Sequence, residues 1–259
     1  MKKENRNGGS EIPLKARALA KVYPGALKPA LKDFSITVNP GEIFGLLGPN
    51  GAGKTTAISL MSTLVSTDGG SIKIFGIDPL KYPQKVKKLI GLVPQDIALY
   101  SNLTVFENLS FFGRMYDLSG IRLKTGIQNA LELTGMTQAA ESRVKTCSGG
   151  MKRRLNLAVG IIHDPRLIFL DEPTVGIDPQ SRHLILEKLN LMKKQSVAMI
   201  YTTHYMEEAQ MLCDRVAIMD EGTIVAEGTP GALMARYPDC ADLGDLFLSL
   251  TGKQLRDQT

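Results

Sequence analysis

The sequence predicts an α/β fold built on a parallel sheet. Short apolar runs are bounded by turn residues, helical patterns alternate with those runs, and a glycine-rich loop joins one strand directly to one helix. In chain order, Ser35-Ile36-Thr37-Val38 alternates as a half-buried strand, and Ile43 to Leu47, Ser71 to Phe75 and Leu89 to Val93 follow as further strands. Pro40-Gly41 and Asp68-Gly69-Gly70 are expected turns. Lys54 to Leu64 carries an apolar helical face. From Thr104 the pattern changes: Thr104-x-x-Glu107 is a capping box opening a helix to about Tyr116, and a second helix runs from about Arg122 to Thr134 before Gly135. A helical lobe is therefore expected as an insert over about 96–155. After Gly150 a helix continues to about Ile162, followed by a strand at Leu167 to Leu170. Asp178-Pro179 supplies cap and first-turn proline for a helix to about Lys194, and Val197 to Tyr201 is another strand. Arg215 to Asp220 and Thr223 to Ala226 flank a Glu221-Gly222 hairpin turn. Leu243, Leu246, Phe247 and Leu250 mark one face of a short helix that would pack onto the core.

At 259 residues with 43% hydrophobic content, the chain is long enough for one large domain with a substantial interior. The net charge of +5 is spread over small groups such as Lys152-Arg153-Arg154, with no dense basic stripe or aromatic stacking platform, so no direct nucleic-acid binding is expected. Cys147, Cys213 and Cys240 form no C-x-x-C pair, which argues against a disulfide framework or zinc site and fits a reducing compartment. The polar residues 1–11 form an expected flexible tail without the apolar core of a secretory signal. No apolar run approaches the roughly 20 residues of a membrane helix, so any membrane role would come through a partner.

Two segments carry chemistry. Gly48-Pro49-Asn50-Gly51-Ala52-Gly53-Lys54-Thr55 fits the phosphate-loop pattern G-x-x-x-x-G-K-[ST] between a buried strand and a helix. Its glycines let backbone N–H groups wrap phosphate oxygens, Lys54 neutralises the terminal phosphates, and Thr55 offers a hydroxyl to magnesium. Leu167 to Leu170 ends in Asp171, which places a carboxylate at the C-terminal end of a buried strand, where ligands collect in such sheets. Asp171 would hold magnesium and Glu172 would accept a proton from an attacking water. The competing explanation is two acids capping the next helix.

With these motifs in order, the chain resembles the nucleotide-binding subunit of an ATP-binding cassette (ABC) transporter along nearly its whole length. The resemblance implies a P-loop NTPase (RecA-like) core with an N-terminal antiparallel β subdomain and an inserted α-helical subdomain, over 12–236, followed by a short helical extension over 237–259. It implies ATP and Mg2+ as cofactors, and adds Thr56 to the phosphate-loop residues. Cys147-Ser148-Gly149-Gly150-Met151 matches the family signature Leu-Ser-Gly-Gly-Gln at Ser148, Gly149 and Gly150, which would bind ATP held by the opposite subunit; Met151 lacks the glutamine's polar contact. Gln95 matches the glutamine that reaches magnesium or the water, and His204 the histidine that contacts the terminal phosphate. Asp178 matches an aspartate that crosses the dimer interface, although it would serve equally as a helix cap. Tyr23 matches the aromatic that stacks on adenine, with core packing as the alternative.

The wording Val175-Gly176-Ile177-Asp178-Pro179-Gln180-Ser181-Arg182, with Ser148-Gly149-Gly150-Met151-Lys152-Arg153-Arg154-Leu155 and Leu248-Ser249-Leu250-Thr251-Gly252-Lys253, is similar to ATPases of bacterial ABC-2 type exporters of the daunorubicin-resistance and sodium-extrusion group. This implies a second ATP-binding subunit, most simply in a homodimer, and an integral membrane permease subunit of the ABC-2 type. The chain would then work at the cytoplasmic face of the cell membrane, exporting a drug, antibiotic, lipid-like compound or ion. The alternative is a soluble ABC ATPase acting on ribosomes or DNA. The single cassette and the absence of a long insert before the signature count against it.

Overall fold

The structure, a computed structural model, describes residues 11–252. The expected tail, apart from Glu11, and the end of the extension from Lys253 lie outside them. The strands are β1 (Leu14–Lys21), β2 (Leu31–Val38), β3 (Ile43–Leu47), β4 (Gly69–Ile74), β5 (Ile90–Val93), β6 (Leu167–Asp171), β7 (Ala198–Thr203), β8 (Arg215–Asp220) and β9 (Thr223–Gly228). They form an antiparallel sheet ordered β2-β1-β4 and a six-stranded sheet ordered β5-β6-β7-β3-β8-β9. In the larger sheet β5 to β8 are mutually parallel where they pair, and β9 joins antiparallel through the expected hairpin.

Both faces of the larger sheet are covered, which is why its central strands read as unbroken apolar runs. Along β6, Ile168 and Leu170 join a core with Ile185, Leu189 and Phe247, whereas Leu167 and Phe169 join one with Phe34, Leu60 and Met61. The helices α1 (Lys54–Met61) and α2 (Pro83–Lys87) precede the lobe formed by α3 (Val105–Met115) and α4 (Gly120–Thr134). Val105, Leu109, Leu123, Ile127 and Leu155 form a third core there. The capping box is present: Thr104 accepts from Glu107 N and Glu107 accepts from Thr104 N. α5 (Gly149–Ile161) ties the lobe to the sheet, followed by α6 (Pro179–Lys194), α7 (Met206–Leu212), α8 (Pro230–Arg236) and α9 (Leu243–Thr251). Leu243, Leu246 and Phe247 of α9 are fully buried in the sheet core.

Two expectations change. Asp68-Gly69-Gly70 is no turn: Gly69 and Gly70 start β4, where Gly70 has φ +83° and lies so close to the Arg17 and Ala18 carbonyls that a Cβ would sit 2.3 Å from Arg17 O. Asp68 instead accepts from Lys21 Nζ and Val22 N. The helix from Lys54 stops at Met61 rather than Leu64, because Thr63 turns into the left-handed region at φ 68°.

Candidate functional site

The C-terminal ends of β3, β5, β6 and β7 lie along one edge of the sheet and bring the chemistry-bearing residues together there. β3 runs into Gly48, and the loop to α1 turns on Gly51 (φ +84°) and Gly53 (φ +101°), a region that side chains disfavour. A Cβ on Gly53 would sit 2.5 Å from Ala30 O, and one on Gly48 2.7 Å from Met219 O. Gly53 heads α1 without a side-chain cap. The first N–H groups of α1 are thus available to a ligand. Pro49, Asn50 and Ala52 complete the loop; Thr55 and Thr56 occupy the first turn.

Lys54 is 5% exposed and donates to the carbonyls of Gly48 at 2.8 Å and Pro49 at 3.2 Å. Its ammonium stands 3.7 Å from Glu172 Oε1. Glu172 Oε2 in turn meets His204 Nδ1 at 3.3 Å and accepts from Gln95 Nε2 at 3.2 Å. Lys54, His204 and Gln95, three residues scattered through the sequence, therefore converge on the Glu172 carboxylate. Thr202, which sequence reasoning passed over, organises both acids: its hydroxyl donates to Asp171 Oδ1 at 2.7 Å and accepts from Glu172 N at 2.9 Å. Glu172 has φ 45°, a strained conformation costing about 1–3 kcal/mol that its bond to Thr202 helps to hold.

The two acids are tuned in opposite directions. Burial pushes the Asp171 carboxyl above its usual range, against hydrogen bonds from the Thr202 and Thr55 hydroxyls. The hydrogen bond from His204, with the Lys54 charge, holds Glu172 below its ordinary value. Burial lowers the Lys54 ammonium, opposed by Glu172 and Asp171. Asp171, hydrogen-bonded by the Thr55 hydroxyl, offers hard oxygen donors that fit a divalent cation, and the glycine cradle with its buried lysine fits a polyphosphate.

Ser148, Gly149 and Gly150 lie elsewhere, at the head of α5 against the head of α6. Ser148 caps α5 by accepting from Met151 N at 3.2 Å, and Gly150 is so close to α6 that a Cβ would fall 2.1 Å from Ser181 Oγ. Asp178 is the cap of α6, accepting from Ser181 N at 2.8 Å. Arg153 of α5 donates to the Gln95 and Val175 carbonyls, and Asn156 to Pro94 O at 3.0 Å, so α5 grips the segment carrying Gln95. Neither residue stands out in the sequence, since both match ordinary helix surface positions. Tyr23 is 38% exposed, unlike a core aromatic, on the loop whose far end, Ala30, crowds Gly53.

Fold and cleft together define a P-loop nucleoside triphosphatase. The profile of the family described as ABC transporter matches residues 31–175, and the chain belongs to that family. It is 46% identical over 238 residues to the linearmycin resistance ATP-binding protein of Bacillus subtilis (strain 168), covering 92% of this chain and 74% of that protein. It is 42% identical to the Nod factor export ATP-binding protein I of Paraburkholderia xenovorans (strain LB400), over 85% of this chain and 72% of that one. A solved ATP-binding subunit of an ABC transporter superposes with a TM-score of 0.82 at 28% identity, over 92% of this chain and 98% of the other. The chain is an ABC-type ATPase.

Proposed function

We propose that the chain is the motor of an exporter, in which two copies close head to tail around ATP and drive a separate ABC-2 type permease at the cytoplasmic face of the membrane. The observation that carries this is the convergence of Lys54, Gln95 and His204 on Glu172 beside a glycine cradle. The separate head of α5, with Ser148 and Gly149 exposed, supports a site completed by a second copy. Relatives named for linearmycin resistance and Nod factor export support export of a drug, antibiotic or lipid-like compound. Among the described residues no helix is long and apolar enough to cross a membrane.

In this scheme the unit over 12–236 is the ATPase, the insert over about 96–155 receives the permease, and 237–259 braces the sheet through α9. Lys54 exchanges Glu172 for the terminal phosphates, which releases Glu172 to take a proton from the attacking water. His204 and Gln95 hold that carboxylate in place, and Tyr23 offers its exposed ring to adenine. Thr55, Asp171 and Gln95 would hold Mg2+, which supplies charge neutralisation on the phosphates. His204 and the Lys54 charge keep Glu172 ionised, and when Lys54 turns to the phosphates the loss of that charge raises the proton affinity of Glu172 as a base.

Glu172→Gln should retain ATP binding and lose about 10²–10⁴-fold in turnover. Pulled from detergent extracts with ATP and magnesium, it should bring a multi-span membrane protein with it. Normal turnover would remove Glu172 from catalysis, and recovery of ribosomes instead of a membrane protein would replace the exporter assignment.

A further inference from the structure

Beside Asp171 and Glu172 stands a further buried carboxylate, which the hydrolytic scheme does not use. Glu208, on α7, is 2% exposed. Its Oε2 accepts from Tyr201 Oη at 2.6 Å, Thr174 Oγ1 at 2.9 Å and Thr203 Oγ1 at 3.0 Å, while Oε1 faces Arg182 Nε at 3.4 Å. These partners come from β7, from the turn just after Glu172, and from α6. The Thr203 hydroxyl also accepts from Tyr205 N at 3.0 Å, so the residues on both sides of His204 are held by one network. The Arg182 guanidinium lies 4.5 Å over the Tyr205 ring, which itself sits 4.2 Å from the His204 ring.

A charge buried this deeply is retained only with several partners, and apolar packing would fill the space at lower cost. What the carboxylate adds is position. It fastens the strand end carrying His204 and the turn following Glu172 to the same atom. We propose that Glu208 is a positioning residue for ATP hydrolysis, fixing His204 relative to Glu172 through Thr203 and Thr174. This rests on Glu172 and His204 being the hydrolytic pair. Their 3.3 Å contact is near the outer limit of a hydrogen bond, so a small shift of either segment removes it.

The test uses the full chain with Glu208→Gln, Thr203→Val and Thr203→Ser, measuring turnover, KM for ATP, affinity for a fluorescent ATP analogue and thermal unfolding. Misplacement of a catalytic group by about 1 Å costs up to about a hundredfold, so Glu208→Gln and Thr203→Val should lower kcat by about 10- to 100-fold with KM and affinity within about twofold. Thr203→Ser keeps the hydroxyl and should restore turnover. The chain has 3 histidines, and in nucleotide-free protein the His204 ring resonances should move in Glu208→Gln while those of His163 and His183 stay. Wild-type kcat in Thr203→Val, or a loss explained wholly by the unfolded fraction, overturns the proposal; if Glu208→Gln does not fold, the Thr203 pair decides. Wild-type hydrolysis in Glu172→Gln and His204→Ala would instead bring down the hydrolytic pair and this proposal with it. Loss in those two alone brings down only the role of Glu208.

Discussion

The heads of α1 and α5 use the same materials, glycines leading into a helix, and finish them differently. α1 begins at Gly53 in the left-handed region with no side chain covering its first N–H groups, beside the buried Lys54. α5 begins at Ser148 in extended backbone, and the serine hydroxyl takes up the Met151 N–H. The first is a cradle shaped inside this chain, its glycines fixed by the Ala30 and Met219 carbonyls. The second is self-capped and faces outward, with only Gly150 pressed inward against Ser181. One helix head leaves its first N–H groups open beside a buried cation, whereas the other takes up the Met151 N–H with its own serine.

Removing the cation from the first head should have the largest effect. Lys54→Ala leaves Glu172 and Asp171 adjacent without their counter-charge, and breaking a buried charge pair costs on the order of 3–5 kcal/mol. ATP affinity, measured with a fluorescent analogue, should fall by at least about a hundredfold. An affinity within a few-fold of wild type would mean that the backbone cradle alone binds the phosphates.

The second head gives a smaller and more discriminating result. Ser148→Ala removes the cap and should cost about 1 kcal/mol, a drop of about 2–4 °C in Tm for a domain of this size. Ser148→Asp keeps a good cap, so its Tm should match wild type, yet it places a negative charge where a phosphate from a second copy would arrive. ATPase activity should then be lost with the fold intact. An active Ser148→Asp would leave the head of α5 as a cap and nothing more.

Why one head is readable in sequence and the other only partly follows from how each is built. The phosphate loop is local: β3, the loop glycines, Lys54 and α1 follow one another without interruption from Ile43 to Met61, in the order strand, loop, helix. The cleft is not local. Thr202 and Glu208 act through partners about 30 residues away in sequence, such as Asp171 and Thr174, and nothing in their own neighbourhood announces it. β1 was missed for a related reason. Its alanines and leucines favour helix, and the left-handed Ala18 interrupts the two-residue alternation between Ala16 and Leu19. The short α2, α7 and α8, of 5, 7 and 7 residues, carry too few turns for a helical period to show.

The tail of α5 contrasts with its head and gives the smallest effect. His163 follows the helix end, where the dipole favours a positive imidazole by about 0.3–1 kcal/mol. Burial outweighs that and lowers its pKa from 6.5, although the Ile90 carbonyl and Asp164 favour the charge. The ring stacks on Tyr116 at 3.6 Å, and Nε2 donates to Ile90 O at 2.7 Å while Nδ1 is buried without a partner. The folded state therefore resists the second proton that the unfolded chain accepts. Between the ordinary value and the lowered one the unfolded chain binds more protons, so stability falls as pH drops below about 6.5 and is retained above it. His163→Phe keeps the stacked ring, loses the bond to Ile90 and should cost about 1 kcal/mol at pH 7.5. By pH 5.5 its deficit in urea midpoint should shrink or reverse, because the phenylalanine has no proton to refuse. A deficit unchanged between the two pH values would show that His163 does not contribute to the acid sensitivity of the fold.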